Sequence, residues 1–212
     1  MEITPAFAVP ICHAKLELCE RLNRELERLL LARETPEFRN PAPSHNPQAE
    51  MFESRVDLFT WPEPCIQELR NFVLESVFRV AMAASEMPRE EFARLRLNNH
   101  TWFHVTRHSG YFVSHNHALA SWSAVYCVTG GAEPAGAPRG GVLRLFDTRV
   151  GADAFMDLAN QRLRHPFVVG DLELRLEPGQ LVIFPSYLFH EVTPYYGPDA
   201  RITVASNCWF GA

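Results

Sequence analysis

The chain has 212 residues, 47% hydrophobic and 21% charged, with 15 phenylalanines. That composition suits one packed core and excludes a disordered or fibrous chain. A formal charge of −5, with Lys and Arg scattered among acids, leaves no basic footprint for nucleic acid or an anionic membrane.

After an extended entry containing Pro5 and Pro10, residues 13–33 place Leu16, Leu18, Leu22, Leu26, Leu29 and Leu30 at helical spacing among Glu and Arg. The spacing predicts an amphipathic helix. Residues 35–50 carry Pro36, Pro41, Pro43 and Pro47, each of which removes a donor and restricts its predecessor, so a long loop is expected. A second helix is predicted from Pro62–Pro64 through Ile66, Leu69, Phe72, Val73, Val77 and Val80 to about Ala84, with a short helical turn at Arg89 to Ala93.

From Leu95 onward, aromatic and β-branched residues come in short runs broken by glycine and proline. Strands are expected at residues 95–106, 111–115, 121–128, 141–147, 166–169, 171–176, 180–184, 189–193 and 201–209. Residues 151–164, with Ala154, Phe155, Leu158 and Leu163 in a partly helical pattern, read as an insertion. The fold class expected is α+β, mainly β: a sandwich or barrel over residues 95–212, buttressed by the helices of residues 1–94, in a single domain.

The five cysteines Cys12, Cys19, Cys65, Cys127 and Cys208 have no CxxC spacing and read as reduced core residues. No basic leader precedes an apolar run, and no segment approaches the ~18 apolar residues of a membrane span, so a cytoplasmic location is expected. Of the nine histidines, His13, His45, His100 and His165 sit in contexts that favour solvent. His115 and His117 differ, because residues i and i+2 of an extended strand point to one side and can grip one ion. By itself an HxH is also an ordinary pair of surface histidines. A third histidine, His190, stands in the segment Glu177 to Pro194, EPGQLVIFPSYLFHEVTP. Pro178-Gly179 makes a turn, Leu181 to Phe184 a buried strand, and Pro185-Ser186 breaks it before His190 enters the next strand. Eleven residues further on, Arg201 opens RITVASN.

HxH, GGVLRLFD, EPGQLVIFPSYLFHEVTP and RITVASN together resemble the 2-oxoglutarate and Fe(II)-dependent oxygenases, most closely a family with an HxH…H motif related to the prolyl hydroxylases. The specific motifs span residues 101–209. The resemblance implies a double-stranded β-helix (a jelly-roll or cupin-like barrel) with Fe(II) held by His115, His117 and His190. His117 falls where most members of the superfamily have Asp or Glu. Arg201 matches the residue that pairs with the distal carboxylate of 2-oxoglutarate, Thr203 faces the same way two residues on, and Asn207 matches the family's terminal Asn. A forked, permanently charged guanidinium suits a carboxylate, and a three-ligand facial site leaves positions for a bidentate co-substrate and O2.

Two departures stand out: Ala118 replaces the proline after HxH, and Cys127 replaces a tyrosine, with Tyr126 facing the opposite way. The implied reaction is oxidation of a C–H bond in a small amino-acid-like or natural-product substrate, hydroxylation by default, with release of succinate and CO2. Other candidates are a three-histidine cupin dioxygenase without 2-oxoglutarate and a non-catalytic ligand-binding barrel. Trp102 and Phe103 are expected in the core and Arg107 and His108 in solvent. His104 and His108 are substitute ligands, and Asn98 and Asn99 are either co-substrate donors or turn residues. The loops at 35–50 and 151–164 are long enough to act as lids. No oligomeric state is fixed by these residues; a homodimer is compatible with them.

Overall fold

Alternation along four central strands decides the architecture. In the computed structural model, which describes residues 1–43, 50–132 and 140–211, the chain forms β1 (Cys12–Lys15), α1 (Glu20–Ala32), β2 (Met51–Glu53), α2 (Pro64–Ala83), α3 (Arg89–Phe92), β3 (Arg96–Thr106), β4 (Phe112–His115), β5 (Trp122–Thr129), β6 (Leu143–Leu145), β7 (Leu172–Leu174), β8 (Gln180–Pro185), β9 (His190–Val192) and β10 (Arg201–Gly211). Two antiparallel sheets result, ordered β1-β8-β5-β10-β3-β2 and β4-β9-β6-β7. This is the double-stranded β-helix arrangement. No helix among the described residues is long and apolar enough to cross a membrane.

One face of the six-stranded sheet is apolar and supports the helices. Phe103, Val105, Ala124, Tyr126, Leu181, Ile183, Ile202 and Val204 pack there against Leu22, Leu26 and Leu30 of α1 and Ile66, Leu69, Val73 and Val77 of α2. Because side chains alternate with period two, the intervening residues Trp102, His104, Ser123, Val125, Cys127, Arg201, Thr203, Ala205 and Asn207 belong to the other face, toward the second sheet. Tyr126 accordingly turns to the helices, where its hydroxyl donates to Asn23 Oδ1 at 2.7 Å. Burial leaves the phenol harder to ionise than usual, and the Asn23 contact offsets only part of that. Cys127 points into the barrel, as expected from its parity.

Several expectations need correction. The helix predicted from residue 13 begins at Glu20, because residues 12–15 pair with β8 as an edge strand and Leu18 adopts a left-handed φ of 54° between the two. Edge pairing satisfies more backbone groups than another helical turn would. No strand forms at 166–169, and β6 and β7 are shorter than predicted. Strand β2 was not anticipated; three residues between a proline-rich loop and a turn carry too little alternation to register. His45 and Pro47 lie outside the described residues. All five cysteines are free; four are buried and Cys12 is half-buried.

Asp147 pins the base of the 151–164 insertion. Its carboxylate accepts from the Arg149 backbone N–H, Arg149 Nε and Nη2, and Gly170 N–H, at 2.9, 2.9, 2.6 and 3.0 Å. The Arg149 guanidinium in particular holds this carboxyl well below the usual carboxylate range. A depressed folded pKa contributes stability that is present above the ordinary value near 4 and is lost as pH falls toward the folded value. Asp147→Asn should therefore speed tryptic cleavage at Arg162 and Arg164 by on the order of tenfold at neutral pH, equivalent to about 1.4 kcal/mol. Unchanged cleavage in a limited-proteolysis time course would contradict this role.

Candidate metal centre

The second sheet supplies two of three converging imidazoles. Strands β4 and β9 pair Phe112 with Val192 and His115 with His190, three steps on one strand against two on the other. That extra residue is a bulge at Val113 and Ser114. It turns Phe112 and His115 to the same cavity although they differ in parity. His190 lies opposite Leu145 of β6 and is buried, whereas His115 is half-buried. Strand β4 ends at His115, so His117 does not arrive by strand alternation. It follows a turn whose backbone is held by His117 N–H donating to the Ser186 carbonyl at 2.9 Å, with Asn116 Nδ2 donating to the Tyr187 carbonyl at 3.4 Å.

The three rings face one another, with centroids 4.3 Å apart for His115 and His190 and 5.1 Å for each of the other pairs. Their nearest donor atoms all lie within 4.8 Å of one another, and this set could hold a metal ion. His115 Nδ1 is 2.7 Å from the Val113 carbonyl and His190 Nδ1 2.9 Å from the Leu188 carbonyl. A carbonyl only accepts, so each Nδ1 carries the proton and each Nε2 presents its lone pair, the tautomer a metal requires. Nitrogens about 2 Å from a common ion are at most about 4 Å apart, so small ring rotations complete the set. The donors thus fit a divalent iron.

The cavity beneath the rings encloses about 50 Å³ and is lined by both sheets. Arg201, Thr203 and Asn207 of β10 line it together with Ser123 and Phe184. Arg201 is only 4% exposed, and among the described residues its guanidinium has neither a carboxylate partner nor a hydrogen bond. Burial accordingly makes it easier to deprotonate than an ordinary arginine. Gly141, at φ 66°, lets the chain lie against its stem, since a Cβ there would come within 3.0 Å of Arg201 Cδ. Thr203 is buried between His104 and Cys127 in register, and Asn207 Oδ1 accepts from Ser123 Oγ at 3.0 Å. Cys127, where a tyrosine was expected, is fully buried; its thiol is pushed up to about 11 by burial, partly offset by Arg201, so it stays a neutral apolar filler.

Trp102 and Phe103 are buried and Arg107 and His108 exposed, as expected. Asn98 and Asn99 do not line the cavity: Asn98 Nδ2 donates to the Arg96 carbonyl, and Asn99 Oδ1 accepts from Thr101 Oγ1. Sequence reasoning missed Glu53 of β2, which lines the cavity beside His104. A wider cleft of about 240 Å³ lies between residues 5–11 and the 145–172 segment. Its titratable lining groups are Asp147 and Arg149, already paired with each other, and His165, so they form no convergent ligand set among the described residues.

Comparison with known proteins supplies the family. A family model described as "Putative 2OG-Fe(II) oxygenase" matches residues 100–207, just over half of the chain. No curated protein matches the sequence. Among solved structures, a Pseudomonas putida prolyl-4-hydroxylase is 19% identical with a TM-score of 0.61, covering 95% of this chain and 92% of that one. A Trichoplax adhaerens prolyl hydroxylase, in complex with a peptide fragment of the hypoxia-inducible factor oxygen degradation domain, is 12% identical with a TM-score of 0.58, covering 94% and 83%. The α-ketoglutarate-dependent carbocyclase SnoK of nogalamycin biosynthesis is 13% identical with a TM-score of 0.60, covering 93% and 78%. At these identities the structural likeness shows the fold, and the family match carries the chemistry. The chain belongs to the 2OG-Fe(II) oxygenase family and is a non-haem iron oxidoreductase that uses Fe(II), 2-oxoglutarate and O2.

Proposed function

We propose that His115, His117 and His190 hold the iron, that Arg201 with Thr203 holds the distal carboxylate of 2-oxoglutarate, and that Asn207 lines the iron side of the same site. One observation carries this reading: a buried guanidinium with no ion partner among the described residues lines the cavity on which three imidazole donors converge. Burying a charge without a counter-ion is costly, and a dianionic co-substrate offsets that cost while making a forked, charge-assisted pair. We assign residues 1–212 to one oxygenase unit.

Within it, the Val113 and Leu188 carbonyls keep the His115 and His190 rings in the ligating tautomer. Phe112, Leu143, Phe184 and Val192 line the cavity with apolar surface that limits water around the reacting atoms. Ser123 orients the Asn207 amide by donating to its oxygen. When bound, iron and co-substrate supply the oxidation: 2-oxoglutarate and O2 are consumed, succinate and CO2 leave, and one oxygen atom enters the substrate. Three neutral imidazoles leave the iron's charge to be balanced by the co-substrate dianion rather than by a protein carboxylate. The substrate class we favour is a small amino-acid-like or natural-product molecule. A peptide is the second reading, and the peptide in the Trichoplax prolyl hydroxylase complex motivates it.

Anaerobic addition of Fe(II) and 2-oxoglutarate should give a weak visible charge-transfer band, and admission of O2 should release succinate. A protein that binds iron but gives neither the band nor succinate would contradict the assignment.

A further inference from the structure

The inner-face residues of β10 run Arg201, Thr203, Ala205, Asn207 and Trp209, opposite Thr106, His104, Trp102, His100 and Asn98 of β3. This ladder gives positions along the barrel. Arg201 stands at the end assigned to the far carboxylate of 2-oxoglutarate. The Trp102 ring, opposite Ala205, lies 5.9 Å from the His117 ring and so marks the level of the metal. Asn207 is the outermost β10 residue that lines the cavity. Trp209 is two residues further out, about 7 Å along the strand, in the direction away from Arg201.

The neighbours of Trp209 fix the face it takes. Cys208 packs in the helix-side core, and the Phe210 ring lies against Phe78 of α2 and Phe92 of α3, with centroids 6.0 and 5.0 Å away. Trp209, between them, therefore belongs to the opposite face, the one that carries Asn207 and Arg201. The strand is also less flanked here: β5 begins at Trp122, opposite Cys208, so from Trp209 onward β10 pairs with β3 alone. The Trp209 and His100 rings meet with centroids 4.9 Å apart and planes at 69°. Trp209 is half-buried and His100 exposed. Two rings set nearly at right angles form a corner. A flat ring laid on one wall meets the other edge-on, and both are favoured aromatic arrangements, whereas a saturated ring or an open chain gains only contact area.

Resting on the assignment of the centre given above, we propose that Trp209 and His100 form a substrate subsite that stacks an aromatic ring. The corner continues the face that lines the cavity, on the side of the metal away from the co-substrate anchor, so a molecule held there extends toward the metal without displacing 2-oxoglutarate from Arg201. The substrate class becomes a molecule with a flat aromatic group displaced from the C–H bond to be oxidised, toward the outer ends of β3 and β10. Specificity is then set by residues that take no part in holding iron or co-substrate.

The test uses the full chain as its anaerobic Fe(II)·2-oxoglutarate complex, titrated with 3-phenylpropanol and with 3-cyclohexylpropanol and followed by calorimetry and by perturbation of the visible band. The two probes match in length, and the saturated one is the more apolar. The phenyl probe should bind saturably and more tightly than the cyclohexyl probe. Trp209→Leu, which keeps an apolar wall and removes the ring, should weaken the phenyl probe by about threefold to tenfold, the weight of an aromatic pair beyond its area. Trp209→Phe should retain most of the preference, and melting curves establish that each variant is folded. A phenyl probe that binds no tighter than the cyclohexyl probe, or equally to wild type and folded Trp209→Leu, overturns the proposal while the band stands. A wild-type protein that forms no band with iron and 2-oxoglutarate overturns the assignment of the centre, and this inference with it.

Discussion

Arg201→Met is expected to lose the co-substrate while gaining stability. The guanidinium is buried without an ion partner among the described residues, so in the empty protein its desolvation is not offset. A methionine fills similar volume with no charge. Even a buried ion pair, whose charges offset each other, can be replaced by apolar side chains with a gain of up to about 1–4 kcal/mol, so removing this unmatched charge should raise the melting temperature of the metal-free protein by several degrees. The same change removes one partner of a buried charged pair once 2-oxoglutarate is bound. At about 2–5 kcal/mol, KM for 2-oxoglutarate should rise by roughly 30-fold or more. Iron binding measured without co-substrate should change little. If the variant melted lower and kept the wild-type KM, Arg201 would be a structural residue and the co-substrate would sit elsewhere.

His190→Ala is expected to release the iron. Loss of outer contacts to a metal ligand typically costs 10- to 100-fold in affinity, so removal of a ligand should exceed about 100-fold. His190 is the most buried of the three imidazoles and bridges β9 to both β4 and β6. The other two cannot close a facial set without it. Metal analysis after desalting should find wild type loaded and the variant empty, with the visible band absent. Full iron occupancy with turnover in His190→Ala would show that the ligand set is wrong.

How much of this was legible in the sequence depends on the length over which a pattern repeats. α2, with apolar residues at helical spacing over twenty positions behind Pro64, and β3 and β10, with eleven residues each, declare themselves by periodicity. The segment Glu177 to Pro194 did so through its turn residues, and it carried His190 with it. Short elements did not. β2 has three residues, and its only role visible from sequence was to end a loop, so Glu53 stayed hidden until pairing with β3 set it beside His104. β1 was absorbed into a helix because its apolar residues continue the helical spacing that follows. The pairing of His115 with His117 was anticipated for a reason that the structure replaces, since a bulge and a turn, not strand alternation, bring the two rings together. Tertiary pairing and local irregularity are long-range properties, and neighbouring residues do not encode them.

A crystal structure of the protein grown anaerobically with Fe(II) and 2-oxoglutarate would decide most directly. The expected result is one iron about 2 Å from a ring nitrogen of each of His115, His117 and His190, with the co-substrate's far carboxylate on Arg201. An iron bound by other side chains, or a His117 ring turned away while the other two ligate, would contradict it.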